Sequence, residues 1–222
     1  MALLAEDLML LLLDDDSGRA LVDSTKLPRV LAGAVLLELT LDAVVGLDTE
    51  GSRVRKGRLV VRTATVPSDP LLAHAVRRLT DAKPMKPESA VEKLSKGIRE
   101  TLLGRVVEHG WIREERGRVL GIFPTKRWPA VDDSHERQVR AELRSVLVDG
   151  STPTARAAAL VSLLSAVDAV PKIMPDVDKR QIKKRAEEIA EGDWAGKAVR
   201  KAVDAVNTAV MVAVTVPVIA SN

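Results

Sequence analysis

Residues 101–147 read TLLGRVVEHGWIREERGRVLGIFPTKRWPAVDDSHERQVRAELRSVL. The stretch opens on a helix whose buried face is Leu102, Leu103, Val106 and Val107. A tight hairpin follows, with Trp111-Ile112 on one arm, a turn at Arg116-Gly117, and Val119 to Phe123 on the other. A Trp128-Pro129 corner then leads into a basic helix. Helix followed by hairpin is the outline of a winged-helix unit, which makes nucleic acid one partner to weigh. A helix that displays several arginines suits phosphate on a membrane surface equally well.

The basic helix carries the clearest pattern in the chain. Asp133 with Glu136 three residues later predicts a capping box. Val139, Leu143, Val146 and Leu147 recur at i, i+4, i+7 and i+8 and must face a core. At 100° per residue, Arg137, Arg140 and Arg144 fall within roughly 60° of one another, on a stripe beside the apolar one.

Composition bounds what surrounds this stretch. At 222 residues the chain can bury a sizeable core. With one Phe, three Trp and no Tyr, that core must be built from Leu, Val and Ala, which favours closely approaching helices. The absence of cysteine excludes disulfides, thiolate metal sites and a cysteine nucleophile. Residues 1–70 hold 8 basic and 11 acidic side chains, and residues 71–222 hold 26 and 20. An anion-facing surface therefore belongs to the later part. Neither the Leu8–Leu13 run, preceded by Glu6 and Asp7, nor the apolar Ala205–Ala220 run, with Asn207 and Pro217 inside it, reads as a targeting signal or a spanning helix.

Outward from the hairpin, residues 3–13 predict a short apolar helix, stopped at Asp14-Asp15-Asp16. Asp23-Ser24-Thr25 precedes a helix over Leu27–Leu41 that only Arg29, Glu38 and Thr40 interrupt, so it belongs at the centre of the fold. Gly33 and Ala34 would let neighbours approach it. Val44–Leu47 and Arg58–Thr63 read as strands across a polar Thr49–Lys56 connection, and Ser68-Asp69-Pro70 opens a helix to about Thr80. Ala82–Pro87 is a breaker and a surface loop, and Pro87 starts another helix. Thr154–Val170 predicts a second central helix with only Arg156 and Asp168 charged. A basic-then-acidic helix over Asp178–Glu191 and a final apolar helix complete the chain. The expected fold is mainly α: a single globular helical domain, residues 1–222, around buried central helices, with two small β-hairpins, one in the winged-helix-like unit.

Catalytic chemistry finds little support. His74, His109 and His135 show no ligand spacing, no glycine-rich phosphate loop or nucleophile elbow is present, and Asp14–Asp16 reads as a solvated cap rather than a metal site. No enzyme activity, metal or cofactor is expected. The candidate recognition helix, Ile98–His109, would turn Arg99, Glu100, Arg105 and Glu108 outward. Two acids among two arginines are a poor surface for a phosphate-lined groove, which argues against nucleic acid.

The order of motifs carries a resemblance. Leu4-Ala5-Glu6-Asp7-Leu8, the run Leu31 to Leu39, Ser68-Asp69-Pro70-Leu71-Leu72, Gly110-Trp111-Ile112, Phe123-Pro124-Thr125 with Trp128-Pro129, and Glu191-Gly192-Asp193-Trp194 span nearly the whole chain. In this series the chain resembles the Golgi phosphoprotein 3-like family, and within it the short bacterial members. The Ala-, Val- and Arg-rich composition fits a bacterial source. The resemblance implies a mainly helical domain and peripheral membrane association through phosphatidylinositol 4-phosphate, as in eukaryotic members, which act as adaptors holding the cytosolic tails of glycosyltransferases. It implies a headgroup site made of a Trp before the central helix, an Arg on that helix, and two basic residues on the helix after the hairpin. The basic pair falls on Arg137 and Arg140, whereas the Arg falls on Ala32 and the Trp on about Asp23. Arg29 and Lys26 are then the basic residues nearest the start of the central helix.

The expected function is non-enzymatic, peripheral binding of an anionic phospholipid headgroup by Arg137, Arg140, Arg144, Arg29 and Lys26 at a cytoplasmic membrane surface. The alternative is a protein-interaction adaptor for membrane-enzyme tails, or for a second copy of the chain, without specific lipid binding.

Overall fold

The computed structural model describes residues 2–48, 56–62, 66–119, 123–192 and 197–215. In chain order the elements are α1 (Leu4–Leu11), α2 (Lys26–Leu41), β1 (Val45–Leu47), β2 (Leu59–Val61), α3 (Pro70–Thr80), α4 (Pro87–Ser95) and α5 (Ile98–Glu108). They continue with β3 (Glu115–Val119), β4 (Phe123–Arg127), α6 (Ser134–Leu147), α7 (Ala155–Ala166), α8 (Val170–Ile173), α9 (Lys179–Glu191) and α10 (Lys197–Thr215). The fold is mainly helical, with two antiparallel hairpins, β1–β2 and β3–β4.

Helix α2 is the axis. Every residue from Val30 to Thr40 is buried, and α1, α4, α5, α7 and α10 pack around it. Its start is fixed by Asp23, whose carboxylate accepts from the backbone N–H of Thr25 and of Lys26, both at 2.9 Å. Gly33 is where α10 comes closest: a Cβ built there would stand 2.5 Å from Val210 Cγ2 and 3.2 Å from Leu163 Cδ2 on α7. A leucine- and alanine-built core needs such a contact: among the described residues, no aromatic side chain is buried in it. Helix α7 is the second buried axis, with Ala157 to Leu164 inaccessible on every side.

The structure departs from the sequence reading in four places. The single helix expected over Thr154–Val170 ends at Ala166; Asp168 turns the chain with φ +56° and α8 restarts at Val170. Pro171 lacks the N–H that a continuous helix requires, and its ring would crowd the preceding turn. The second hairpin is displaced as well. Arg116 and Gly117 lie within β3, opposite Lys126 and Thr125, so the expected turn does not form there; Leu120 to Ile122, read as part of the second arm, lie outside the described residues. Ile112 forms only an isolated bridge with Ala130. The capping box of α6 does not form: Asp132, not Asp133, accepts the Ser134 N–H at 2.9 Å, and Glu136 points inward. Finally, Val107, read as part of the buried face of α5, is 37% exposed. The Ala82–Pro87 breaker is a surface loop as expected, tied to the first hairpin where Met85 accepts the Leu59 N–H at 2.9 Å. The Thr49–Arg55 part of the first connection, Thr63, Asp193-Trp194 and the end of the last apolar run lie outside the described residues.

Gly33→Ala should lose about 1–3 kcal/mol of unfolding free energy by overpacking the α2–α10 crossing. Val210→Ala in the same chain should recover most of it, as measured by denaturant unfolding of the single and double variants.

Candidate functional site

Helix α6 is held by Val139, Leu143, Val146 and Leu147, all buried, and this fixes where its arginines point. Arg137 is the open one, with 69% of its side chain exposed and Asp133 3.2 Å away. Arg144 is half-exposed and donates to Asp176, in the turn after α8, at 2.7 Å. Arg140 is more enclosed: its Nε donates to Glu136 at 2.8 Å and its Nη1 to the Ile173 carbonyl at the end of α8, also at 2.8 Å. The short helix α8 joins this edge to the loop before α2, because Lys172 Nζ donates to the Leu21 carbonyl at 2.7 Å. Lys172 escaped the sequence reading, which ended its helix at Val170 and placed no element over α8.

Of the remaining candidates, Lys26 stays near this edge, 4.0 Å from Asp23 and within electrostatic reach of Asp168 beside α8. Arg29 does not join it. With only 12% of its side chain exposed, it donates to Glu92 on α4 at 2.5 Å and to the Thr25 carbonyl at 2.8 Å. Ala32 is fully buried, and Asp23 serves as the cap of α2. Trp128, before α6, faces the other way: the Arg99 guanidinium lies over its ring at 4.7 Å, and Gly18 packs against its backbone. Lys126 pairs with Glu114 at 3.1 Å.

Beneath the edge lies a cluster of charged groups that the sequence reading did not assemble. Glu6 and Asp7 on α1 are 1% and 4% exposed, and Glu38 on α2 is 7% exposed. Arg105 on α5, expected to face outward, instead turns in, donating to Glu6 at 2.7 Å and Asp69 at 2.8 Å. Arg156 on α7 donates to Glu38 at 2.9 Å, Asp7 at 2.8 Å and the Ala2 carbonyl at 2.7 Å. His109 Nε2 lies 3.3 Å from Glu6, and His135 Nε2 lies 2.7 Å from Asp7. The two imidazoles stack on opposite sides of the sequence position of Trp111, each against its indole, with ring centroids at 4.4 and 4.3 Å. A signal was available: each of Glu6, Asp7, Glu38 and Arg156 interrupts an otherwise apolar helix, where a charge needs a partner.

Burial sets the proton affinities here. Glu38 is pushed up by desolvation, partly offset by the Leu4 N–H and by Arg156. Glu136 is pushed up to about 7, chiefly by burial and further by nearby Asp15, with Arg140 pulling the other way. Among the described residues, no group of three or more His, Asp or Glu side chains is placed to hold a metal ion.

Fold and site together define a helical scaffold with an arginine-bearing helix edge above a buried ionic cluster. No helix among the described residues is long and apolar enough to cross a membrane. The family model for Golgi phosphoprotein 3 (GPP34) matches residues 4–206, and the chain belongs to that family. No curated protein matches it.

Two outcomes follow. Arg156→Met should cost about 3–5 kcal/mol in denaturant unfolding, because it leaves Asp7 and Glu38 buried without their counter-charge. For Glu136, a folded pKa above the ordinary 4.5 means a contribution to stability that is complete below about pH 4.5 and lost as pH rises through about 7. The stability difference between the parent protein and Glu136→Gln should therefore move by up to about 3 kcal/mol, against the parent, between pH 5 and 8.5.

Proposed function

We propose that this chain binds an anionic phospholipid headgroup at a membrane surface through the α6 edge, in the manner its family membership suggests for phosphatidylinositol 4-phosphate. The observation that carries the reading is the exposure of Arg137 beside Arg140 and Arg144 on one helix face, with Lys172 on the short α8 and Lys26 within electrostatic reach of Asp168 just before it. Arg140, bonded to Glu136 and the Ile173 carbonyl, adds fixed positive potential. Arg137 and Arg144 hold exposed carboxylates that a phosphate group can replace, and phosphate accepts paired N–H donors from a guanidinium. The hold is reversible, since each basic residue near an anionic bilayer contributes about 1 kcal/mol.

Sedimentation with phosphatidylcholine vesicles, with and without phosphatidylinositol 4-phosphate, tests this. The parent protein should co-sediment only with the phosphoinositide vesicles. Arg137→Ala with Arg144→Ala should weaken binding roughly 30-fold, about 1 kcal/mol for each arginine, without moving the unfolding midpoint. Absence of binding, or binding indifferent to both changes, would overturn the reading. The adaptor alternative would then take its place. It rests on a cleft of 640 Å³ in which Glu38, Asp42 and Asp69 stand among Leu3, Val44 and Leu72, a lining suited to a basic, apolar tail segment.

A further inference from the structure

A second cavity lies away from α6, between the first hairpin and the end of α3. It has a volume of 250 Å³ and is lined on the hairpin side by Val45, Leu59, Val60 and Val61, and across from them by Leu79, Thr80, Ala82, Pro84 and Met85. Its one hydroxyl is already used, since Thr80 donates to the Val76 carbonyl at 2.9 Å, so the threonine offers its methyl group. The loop that closes the cavity is fastened in two places. Met85 accepts the Leu59 N–H, and Arg58 Nη1 donates to the Pro84 carbonyl at 2.6 Å.

These features narrow the occupant. An extended peptide could not add to β2, because β2 has β1 on one side and Met85 on the other, and strand addition needs a free edge. The volume falls below the roughly 300–1,000 Å³ of pockets for drug-sized ligands, so the occupant is small, and the aliphatic lining makes it apolar. Met85 adds a flexible, polarizable wall that adapts to a chain. The rim has a definite sign. The two segments that frame the cavity, 56–62 and 77–86, contain seven basic residues and one acid, Asp81. Lys83, between the lining residues Ala82 and Pro84, and Lys86, next to Met85, are exposed.

We propose that this cavity takes the alkyl chain of a medium-chain fatty acid, with the carboxylate held at the rim by Lys83 and Lys86. Burial of the chain supplies the affinity, and the rim selects an acid over a neutral molecule of the same length. The site is separate from the α6 edge and does not depend on headgroup binding there.

Titration calorimetry with hexanoate, octanoate and decanoate below their micellar range, and with 1-decanol as the neutral probe, tests it. From hexanoate to octanoate, affinity should rise about fourfold per added methylene. Decanoate should bind at least fivefold more tightly than 1-decanol at low salt. Lys83→Glu with Lys86→Glu should abolish that preference and leave 1-decanol unchanged. Ala82→Trp, which fills the cavity, should weaken decanoate more than tenfold. Labelled methionine methyl groups give a readout in the unaltered protein: decanoate should shift the Met85 methyl resonance and leave that of buried Met9 in place. No binding, a Met85 signal that does not respond, or equal affinity for decanoate and 1-decanol would overturn the proposal.

Discussion

The fold depends on how two carboxylates on a leucine-rich helix are neutralised. Helix α1 is buried on every side, and hydrophobic burial alone is non-directional. A helix of leucines could settle into its slot in several rotations. Glu6 and Asp7 remove that freedom, because each ionised carboxylate must meet its counter-charge or cost several kcal/mol. Arg105 arrives from α5 and Arg156 from α7, and Glu38 of α2 shares Arg156. Four helices are thereby indexed to one another around a handful of polar atoms. The net stabilisation from such pairs is small, since desolvation offsets much of the attraction. What they specify is register.

The same cluster positions the functional edge. His109 sits just past the end of α5 and His135 in the first turn of α6. Their stacking on Trp111 and their contacts with Glu6 and Asp7 bring the end of one helix against the start of the other. The direction in which α6 leaves this junction decides where Arg137, Arg140 and Arg144 point. Its far side is set by α8 and the turn after it, through the Ile173 carbonyl and Asp176. An arginine stripe at spacings of three and four residues becomes a surface of defined orientation only because both ends of its helix are pinned.

The sequence made the helices legible, and it made their apolar faces legible too. The runs Val30 to Leu39 and Ala157 to Leu164 have no competing pattern, and Asp69-Pro70 announces the start of α3, where Asp69 accepts the Leu71 and Leu72 N–H groups. The hairpin turn was misread because Glu115-Arg116-Gly117 and Thr125-Lys126-Arg127 show no apolar–polar alternation to fix register. The long helix was drawn on to Val170 because the apolar run Val167, Ala169 and Val170 continues past the point where Asp168 turns the chain. The site was half legible. Periodicity placed the three arginines on one face, but partners 32 or 33 residues away, such as Asp176 and the Ile173 carbonyl, have no sequence signal. Arg29 shows the converse: one turn from Ala32 along α2, it is claimed by Glu92 because α4 passes there.

Charge counting alone understates what the α6 edge can do, because each of its arginines already faces a carboxylate. The pairs differ in kind. Arg137 with Asp133 and Arg144 with Asp176 are exposed, and pairs of that sort contribute about 0–1 kcal/mol. Exchanging such a carboxylate for a phosphate forfeits little and gains a second negative charge. Arg140 with Glu136 is different, because Glu136 is 5% exposed and removing its partner would strand a buried acid. Under the headgroup reading, the outer two arginines are therefore exchangeable contacts and the middle one is a fixed source of field. Because burial leaves Glu136 ionising near neutrality, that field strengthens as pH falls through about 7, when the glutamic acid becomes neutral and Arg140 keeps its full charge.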